Sequence, residues 1–268
     1  MQIHSTAIVH PKASLADDVE VGPFCLIGEH VTLGKGTRLL SHVTVDGWTE
    51  IGERNELFPF ASIGGPPQHL GYKGEPTKVI IGDDNIIREY VTVNRATVQG
   101  GGRTTIGSKN FLMAYVHVAH DCHLGSHLIL ANAATLGGHI TIGDHAIIGG
   151  LTGIHQHVRI GSYSMVGGCC GLVQDLPPFM RAAGGYRPRM YGLNSVGLRR
   201  QGFSADRISV LKRAYDMLFR SGHRIAEAAR LAKAEFGDQP DVMTILGFLE
   251  GTKRGICRSV GKDQEDEE

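Results

Sequence analysis

A period of six residues constrains this chain more than any other feature. From Ile3, the positions Val9, Leu15, Val21, Ile27, Leu33, Leu39, Val45, Ile51, Leu57 and Ile63 are all aliphatic, eleven in succession. The register resumes at Ile81, Ile87 and Val93, and again at Ile106, from which twelve positions run without exception to Leu172. Only 41% of residues are hydrophobic, so chance does not produce such runs. Self-similarity at a fixed period marks a repeat architecture.

Six is neither the period of a helix nor that of a simple strand. It suits a short strand plus a corner, three of which close one triangular coil. Each strand then sends one aliphatic residue inward. The residue four later is small or aliphatic and fits a tight corner, as at Ala7, Ala13, Cys25, Thr37, Ala61, Cys122, Ala134, Ala146, Thr152 and Cys170. A glycine often follows the inward residue, as at Gly22, Gly28, Gly34, Gly125 and Gly149, and is expected to supply the unusual backbone angles of the corner. Coils stacked at the strand spacing of roughly 4.8 Å make a parallel β-helix. The spacing does not fix its hand.

A chain of 268 residues holds one large domain and a smaller one. Its 27 basic and 27 acidic residues balance, which argues against nucleic acid as a partner. Of the five cysteines, Cys25, Cys122 and Cys170 occupy small corner positions, and Cys169 and Cys257 complete the odd count; reduced, buried thiols are expected. The N-terminus enters the repeat directly, with no signal peptide pattern. No apolar run approaches the length of a membrane span, so a cytoplasmic protein is expected.

The repeat breaks twice, at 64–78 and 95–104. Repeat proteins gather insertions on one face, often the binding face. Above these breaks, an eighteen-residue coil places Gly138 over His120 and Gln156 over Gly138. His139 and His155 are their neighbours, and His117 lies half a repeat away, so three histidines are expected on one edge with His117 beside them. Metal binding is the rival use of such a cluster. Ligands on coils roughly 4.8 Å apart converge on one ion only with favourable rotamers, so no metal is expected.

Acyl transfer is the chemistry this edge can support. A neutral histidine takes a proton from a hydroxyl as general base. Asp121, next to His120, can orient the ring and stabilise the imidazolium. The Gly138 N–H, one coil away, is placed to bind an oxyanion. An activated thioester needs no enzyme nucleophile.

Several stretches resemble the UDP-N-acetylglucosamine acyltransferases of lipid A synthesis, a family of hexapeptide-repeat enzymes. They are Tyr72-Lys73-Gly74-Glu75-Pro76-Thr77, Val98-Gln99-Gly100-Gly101-Gly102, His117-Val118-Ala119-His120-Asp121-Cys122, Leu130-Ala131-Asn132-Ala133-Ala134-Thr135-Leu136, Ile154-His155-Gln156 and Leu198-Arg199-Arg200-Gln201-Gly202-Phe203. The resemblance implies a left-handed parallel β-helix over 1–176 and a C-terminal helical domain over 177–268. It implies a homotrimer with clefts between neighbouring β-helices. The implied reaction moves a 3-hydroxyacyl group from acyl carrier protein to the 3-hydroxyl of UDP-N-acetylglucosamine, without a cofactor. Within the resemblance, His120 matches the catalytic base with Asp121 beside it, and Gly138 matches the glycine whose N–H faces the thioester carbonyl. His117, His139, His155 and Gln156 match residues lining the cleft. Asn194 and Arg200 match nucleotide contacts. Gly168 lies where the family limits acyl length, and a glycine there implies a longer chain than a methionine would allow.

One stretch departs from the family. Its usual Gln-Asp-Leu-Lys-Tyr reads Gln68-His69-Leu70-Gly71-Tyr72 here, with Lys73 two residues beyond the family's lysine position. These positions contact sugar and acyl groups in the family. The change leaves open a paralogue whose acceptor carries an amine at position 3. A non-enzymatic β-helix scaffold remains a third reading, although the flat threonine ladders of ice-binding surfaces are missing. A metal-dependent hydratase on the same fold is the fourth.

Pro177-Pro178 is expected to mark the exit from the repeat. Ser204 is expected to cap a helix to about Ser221, with a second helix over 224–236 and a third after Pro240. These helices would cover the open end of the solenoid. Arg199, Arg200, Lys212, Arg213 and Arg220 offer a basic surface for an acidic carrier protein or nucleotide phosphates. The acidic tail at 263–268 is expected to be disordered.

Overall fold

The computed structural model describes residues 1–260; the acidic tail at 263–268 lies outside the described residues. The chain coils into a left-handed parallel β-helix with three faces, sheets of 11, 9 and 8 strands. Each face takes every third strand, and neighbouring strands in a regular coil pair in parallel register eighteen residues apart, as Val118↔Leu136 and Leu136↔Ile154. Most strands are two residues long, so the alternation of a strand is cut to one outward and one inward side chain.

The inward residues are those of the six-residue period. From Val21 to Leu172 every one of them is buried, in one continuous core. Burying each contributes about 1.5–3 kcal/mol. The first coil has no coil beneath it, and Ile3 stays 42% exposed.

The corner glycines act differently from the sequence expectation. A Cβ on Gly22 would lie 2.2 Å from the Leu40 carbonyl oxygen of the next coil, and one on Gly149 would lie 2.3 Å from the Gly168 nitrogen. These glycines permit close approach. The positive φ falls two residues later, on ordinary residues such as Phe24, Arg54, Tyr90, Asp121, His139 and His157. Stacking side chains at these positions help to hold them there. Phe24, His42, Phe60, Tyr90 and Tyr115 form one ring ladder, and His127, His145 and Tyr163 another. His30 stacks on Trp48 in the same way.

Both insertions leave the corner between the 9-stranded and 8-stranded faces. The first joins strands Ser62–Gly65 and Lys78–Ile81, the second joins Thr92–Asn94 and Arg103–Ile106. The second therefore ends before residue 104, because Arg103 and Thr104 already pair with Lys78 and Val79.

The parallel register also outlasts Pro177-Pro178. Strand Met180–Ala183 still stacks on Met165–Val166, and only Arg189–Leu193 turns antiparallel. Four helices follow: α1 (Ser195–Arg200), α2 (Ala205–Arg220), α3 (Ile225–Phe236) and α4 (Pro240–Glu250). Ser204 caps α2 by accepting the Arg207 N–H. Helix α2 packs on the antiparallel strand, and Arg159 in the last coil donates to the Phe248 carbonyl of α4. The helices so lie over the end of the coil.

Candidate active site

The corner between strands His117–Val118 and His123–Leu124 carries His120 and Asp121, directly above the two insertions. Asp121 takes a positive φ of 62°, which a short polar side chain tolerates. Its carboxylate is fully buried and saturated with donors. The Thr97 N–H donates to Oδ1 at 2.9 Å, and the Thr97 hydroxyl to Oδ2 at 2.8 Å. His120 Nδ1 lies 2.7 Å from Oδ2. A carboxylate only accepts, so Nδ1 carries a proton, and in the neutral ring the lone pair is left on Nε2. Gly100 roofs the carboxylate; a Cβ there would lie 2.0 Å from the Asp121 Cγ. The second insertion is thus the lid that buries Asp121.

His120 is itself 7% exposed, more enclosed than the corner position suggested. Gly138 lies one coil above it, and a Cβ on Gly138 would lie 2.6 Å from His120 Cε1 and 3.0 Å from Nε2. Among the described residues no acceptor takes the Gly138 N–H. A cavity of about 580 Å³ opens here, lined by Gln68, His117, His120, Gly138, His155 and Gln156 among others. Five of these, His117, His120, Gly138, His155 and Gln156, are residues that the eighteen-residue spacing sets on one edge, and Gln68 joins them from the first insertion.

His117 is half-buried, with Nδ1 2.7 Å from the Thr92 hydroxyl. Burial pushes its pKa below the ordinary histidine value, and His120 beside it pushes the same way, so His117 is neutral at pH 7. His155 donates from Nδ1 to the Gln156 carbonyl at 3.1 Å, and Gln156 contacts His157 at 3.0 Å.

Other expected residues do not line this cavity. His139 packs edge on against His120, with ring centres 5.3 Å apart, but it does not line the cavity that His155 lines. It shares the positive-φ column with Asp121 and His157, stacks on His157 with ring centres 4.5 Å apart, and keeps Nε2 3.6 Å from Asp121 Oδ2. Burial lowers its pKa as well; the Asp121 carboxylate opposes this, and His157, His120 and His69 reinforce it. His69 sets its ring against His120 at 5.5 Å, edge on, and accepts the Gly71 N–H on Nδ1. Lys73 is exposed, and its backbone N–H donates to the Glu75 carboxylate in the same loop. Gly168 sits on a different corner, against the Gly150 carbonyl, across the 9-stranded face from His120. Asn194 caps α1, accepting the Gly197 N–H and donating to the Tyr163 carbonyl, and Arg200 is exposed at the end of that helix. These three belong to corners and helices that one chain does not bring to His120.

The basic surface also shrinks. Arg213 pairs with Glu235, and Arg220 is buried beside Asp216. Cys25, Cys122, Cys170 and Cys257 are buried free thiols, and burial pushes Cys122 up to about 12; Cys169 is exposed. His120, Asp121 and His139 bring ligand atoms within 4.8 Å of one another, but Asp121 already accepts three hydrogen bonds, the pattern of an oriented histidine. Thr97 and Thr104, whose hydroxyl accepts the Asp121 N–H at 2.9 Å, escaped sequence reasoning because nothing near them in the chain marks them.

A protein-family model described as Udp N-acetylglucosamine O-acyltransferase; Domain 2 matches residues 175–257. A protein from Thermodesulfovibrio yellowstonii, named acyl-[acyl-carrier-protein]--UDP-N-acetylglucosamine O-acyltransferase, is 56% identical over 96% of this chain and 99% of its own length. One of the same name from Syntrophobacter fumaroxidans is 47% identical over 96% and 100%. Among solved structures, LpxA from Acinetobacter baumannii superimposes with a TM-score of 0.93 at 46% identity, covering 96% of this chain and all of that one. The UDP-N-acetylglucosamine acyltransferase from Campylobacter jejuni gives 0.91 at 38% identity, over 97% and 100%.

Proposed function

The chain belongs to the UDP-N-acetylglucosamine O-acyltransferase family, and we propose that the His120 corner performs that family's reaction. The enzyme transfers a 3-hydroxyacyl group from acyl carrier protein to UDP-N-acetylglucosamine, the first step of lipid A synthesis. His120 Nε2 takes the proton of the sugar 3-hydroxyl. The freed oxygen attacks the thioester carbonyl, and the Gly138 N–H receives the oxyanion. Collapse breaks the carbon–sulfur bond, and the imidazolium returns its proton to the departing thiolate. Asp121 holds the Nδ1 tautomer and offsets the charge of the imidazolium. The carrying observation is the 2.7 Å His120–Asp121 bond in the wall of a cavity roofed by a bare glycine.

Gly168, Asn194 and Arg200 lie away from His120 within one chain. This supports a site completed between copies, with a second chain presenting these residues in the cleft of a homotrimer. An acyl carrier protein as donor also supports a cytoplasmic reaction. A second reading rests on His69: its ring faces His120, where the family carries an aspartate, so the acceptor can be a 3-amino sugar.

The test is transfer from a 3-hydroxyacyl carrier protein to UDP-N-acetylglucosamine and to its 3-amino analogue, with products identified by mass. Acylation of the hydroxyl sugar is expected. Acylation of the amino sugar alone would move the assignment to the second reading, and acylation of neither would end both.

A further inference from the structure

Above Gly138 and Gln156 the same corner column continues to Gln174. Here a second cavity of about 540 Å³ opens, sharing His155, Val173 and Tyr186 with the cavity at His120. Four arginines line it: Arg187, Arg189, Arg254 and Arg258. They come from two segments far apart in sequence, joined where Met190 bridges Ser259, and the second is tied to the coil where Ile256 bridges Asp175. The chain balances its charges overall, yet among the described residues no carboxylate lines this cavity.

Two of the guanidinium groups are already placed. Arg254 donates to the Val173 carbonyl from Nε and Nη2, both at 3.3 Å, and Arg187 lies over the Tyr186 ring, 5.6 Å from its centre. Among the described residues the side chains of Arg189 and Arg258 make no hydrogen bond or ion pair, while the Met190 N–H fixes the Arg258 backbone at 2.8 Å. Uncompensated like charge beside a catalytic cleft disfavours folding unless an anion is expected there. The planar fork of arginine matches a phosphate in paired hydrogen bonds.

Position limits which phosphate this is. Three coil steps separate His120 from Gln174, about 14 Å at the strand spacing. A group bonded near the reacting carbon cannot span that. We propose that the arginine cavity is a phosphate-ester subsite of the cleft, filled by a substrate whose reacting end lies at His120. This rests on the acyl-transfer reading, in which both substrates bear phosphate: the phosphodiester of the carrier arm, or the diphosphate of the nucleotide.

The experiment is steady-state kinetics on Arg189→Ala, Arg258→Ala and the double variant, with Arg258→Lys as a variant that keeps charge but loses the fork. The donors are 3-hydroxyacyl thioesters of carrier protein, of phosphopantetheine and of pantetheine, which lacks the phosphate. Each alanine is expected to raise the KM of the phosphate-bearing substrate about tenfold, the loss of one charge-assisted contact. If the carrier arm fills the site, the rise appears with phosphopantetheine and vanishes with pantetheine. If the nucleotide fills it, the rise appears in the KM for the UDP sugar with every donor. An unchanged KM throughout, or an equal loss with pantetheine while the UDP-sugar KM stays flat, would overturn the subsite. A wild-type chain that transfers no acyl group would instead sink the functional reading, so the two failures are separable.

Discussion

Replacing Gly138 with alanine tests the roof of the site with one carbon. Its Cβ would stand 2.6 Å from His120 Cε1, where ordinary contact begins at 3.4 Å. The backbone of Gly138 is not in the positive-φ region, so alanine adopts it without strain. The clash must be relieved by the imidazole, which has to retreat by about 0.8 Å. That ring is held by its 2.7 Å bond to a buried, three-times-bonded Asp121, so retreat misaligns Nε2 rather than swinging freely. A misplacement of about 1 Å costs on the order of 100-fold in rate, or about 2.7 kcal/mol of barrier. Gly138→Ala should therefore lower kcat about 100-fold in the acyl-transfer assay. Overpacking should cost about 1–3 kcal/mol of stability, read as a modest drop in Tm. Gly153→Ala, on the same cavity with nothing within 4 Å of its Cβ, is the matched control for crowding. Wild-type kcat in Gly138→Ala would refute the argument, since it would mean that His120 need not stay where it is.

Asp121→Asn should reduce kcat about 1,000-fold or more while keeping the side chain's shape, because the ring loses the acceptor that selects its tautomer; the pH–rate profile of the variant reads it. Gly100→Ala should lift the lid from Asp121, since its Cβ would meet the carboxylate at 2.0 Å; amide exchange at Thr97 should quicken and kcat should fall. Acidity should destabilise the fold through His117 and His139, whose pKa values are lower when folded than the ordinary 6.5. The unfolded chain then binds more protons between the two values, so this stability is intact above about pH 6.5 and is lost as pH falls through it. His117→Gln should flatten the Tm difference between pH 7.5 and 5.5, and an unaltered difference would count against burial as the cause. With Gly168 open, donors of about fourteen carbons should outrun those of about ten, and Gly168→Met should reverse the order.

The coil was legible because one aliphatic residue in six is both its period and its core. The corners were less so. Glycine's backbone freedom suggested where the chain turns, but Gly22 and Gly149 serve close approach, while Phe24, Tyr90 and His157 take the positive φ within stacks invisible to a one-dimensional pattern. The eighteen-residue ruler found His120, Gly138 and Gln156, which depend on coil register alone. It brought His139 to His120 but not into the cavity, because that side chain sits one corner position further on and follows the column of Asp121 and His157. Thr97 and the arginine cavity were out of reach, since an insertion and the antiparallel return after Ala183 both break the register that carried the reading.

The most direct measurement is single-turnover transfer from a 3-hydroxyacyl carrier protein to UDP-N-acetylglucosamine by the wild type and by His120→Ala. The account predicts rapid transfer by the wild type and a collapse of the chemical step in the variant, with Tm nearly unchanged. Undiminished transfer in a folded His120→Ala protein would contradict it, and the base would have to be sought elsewhere in the cavity.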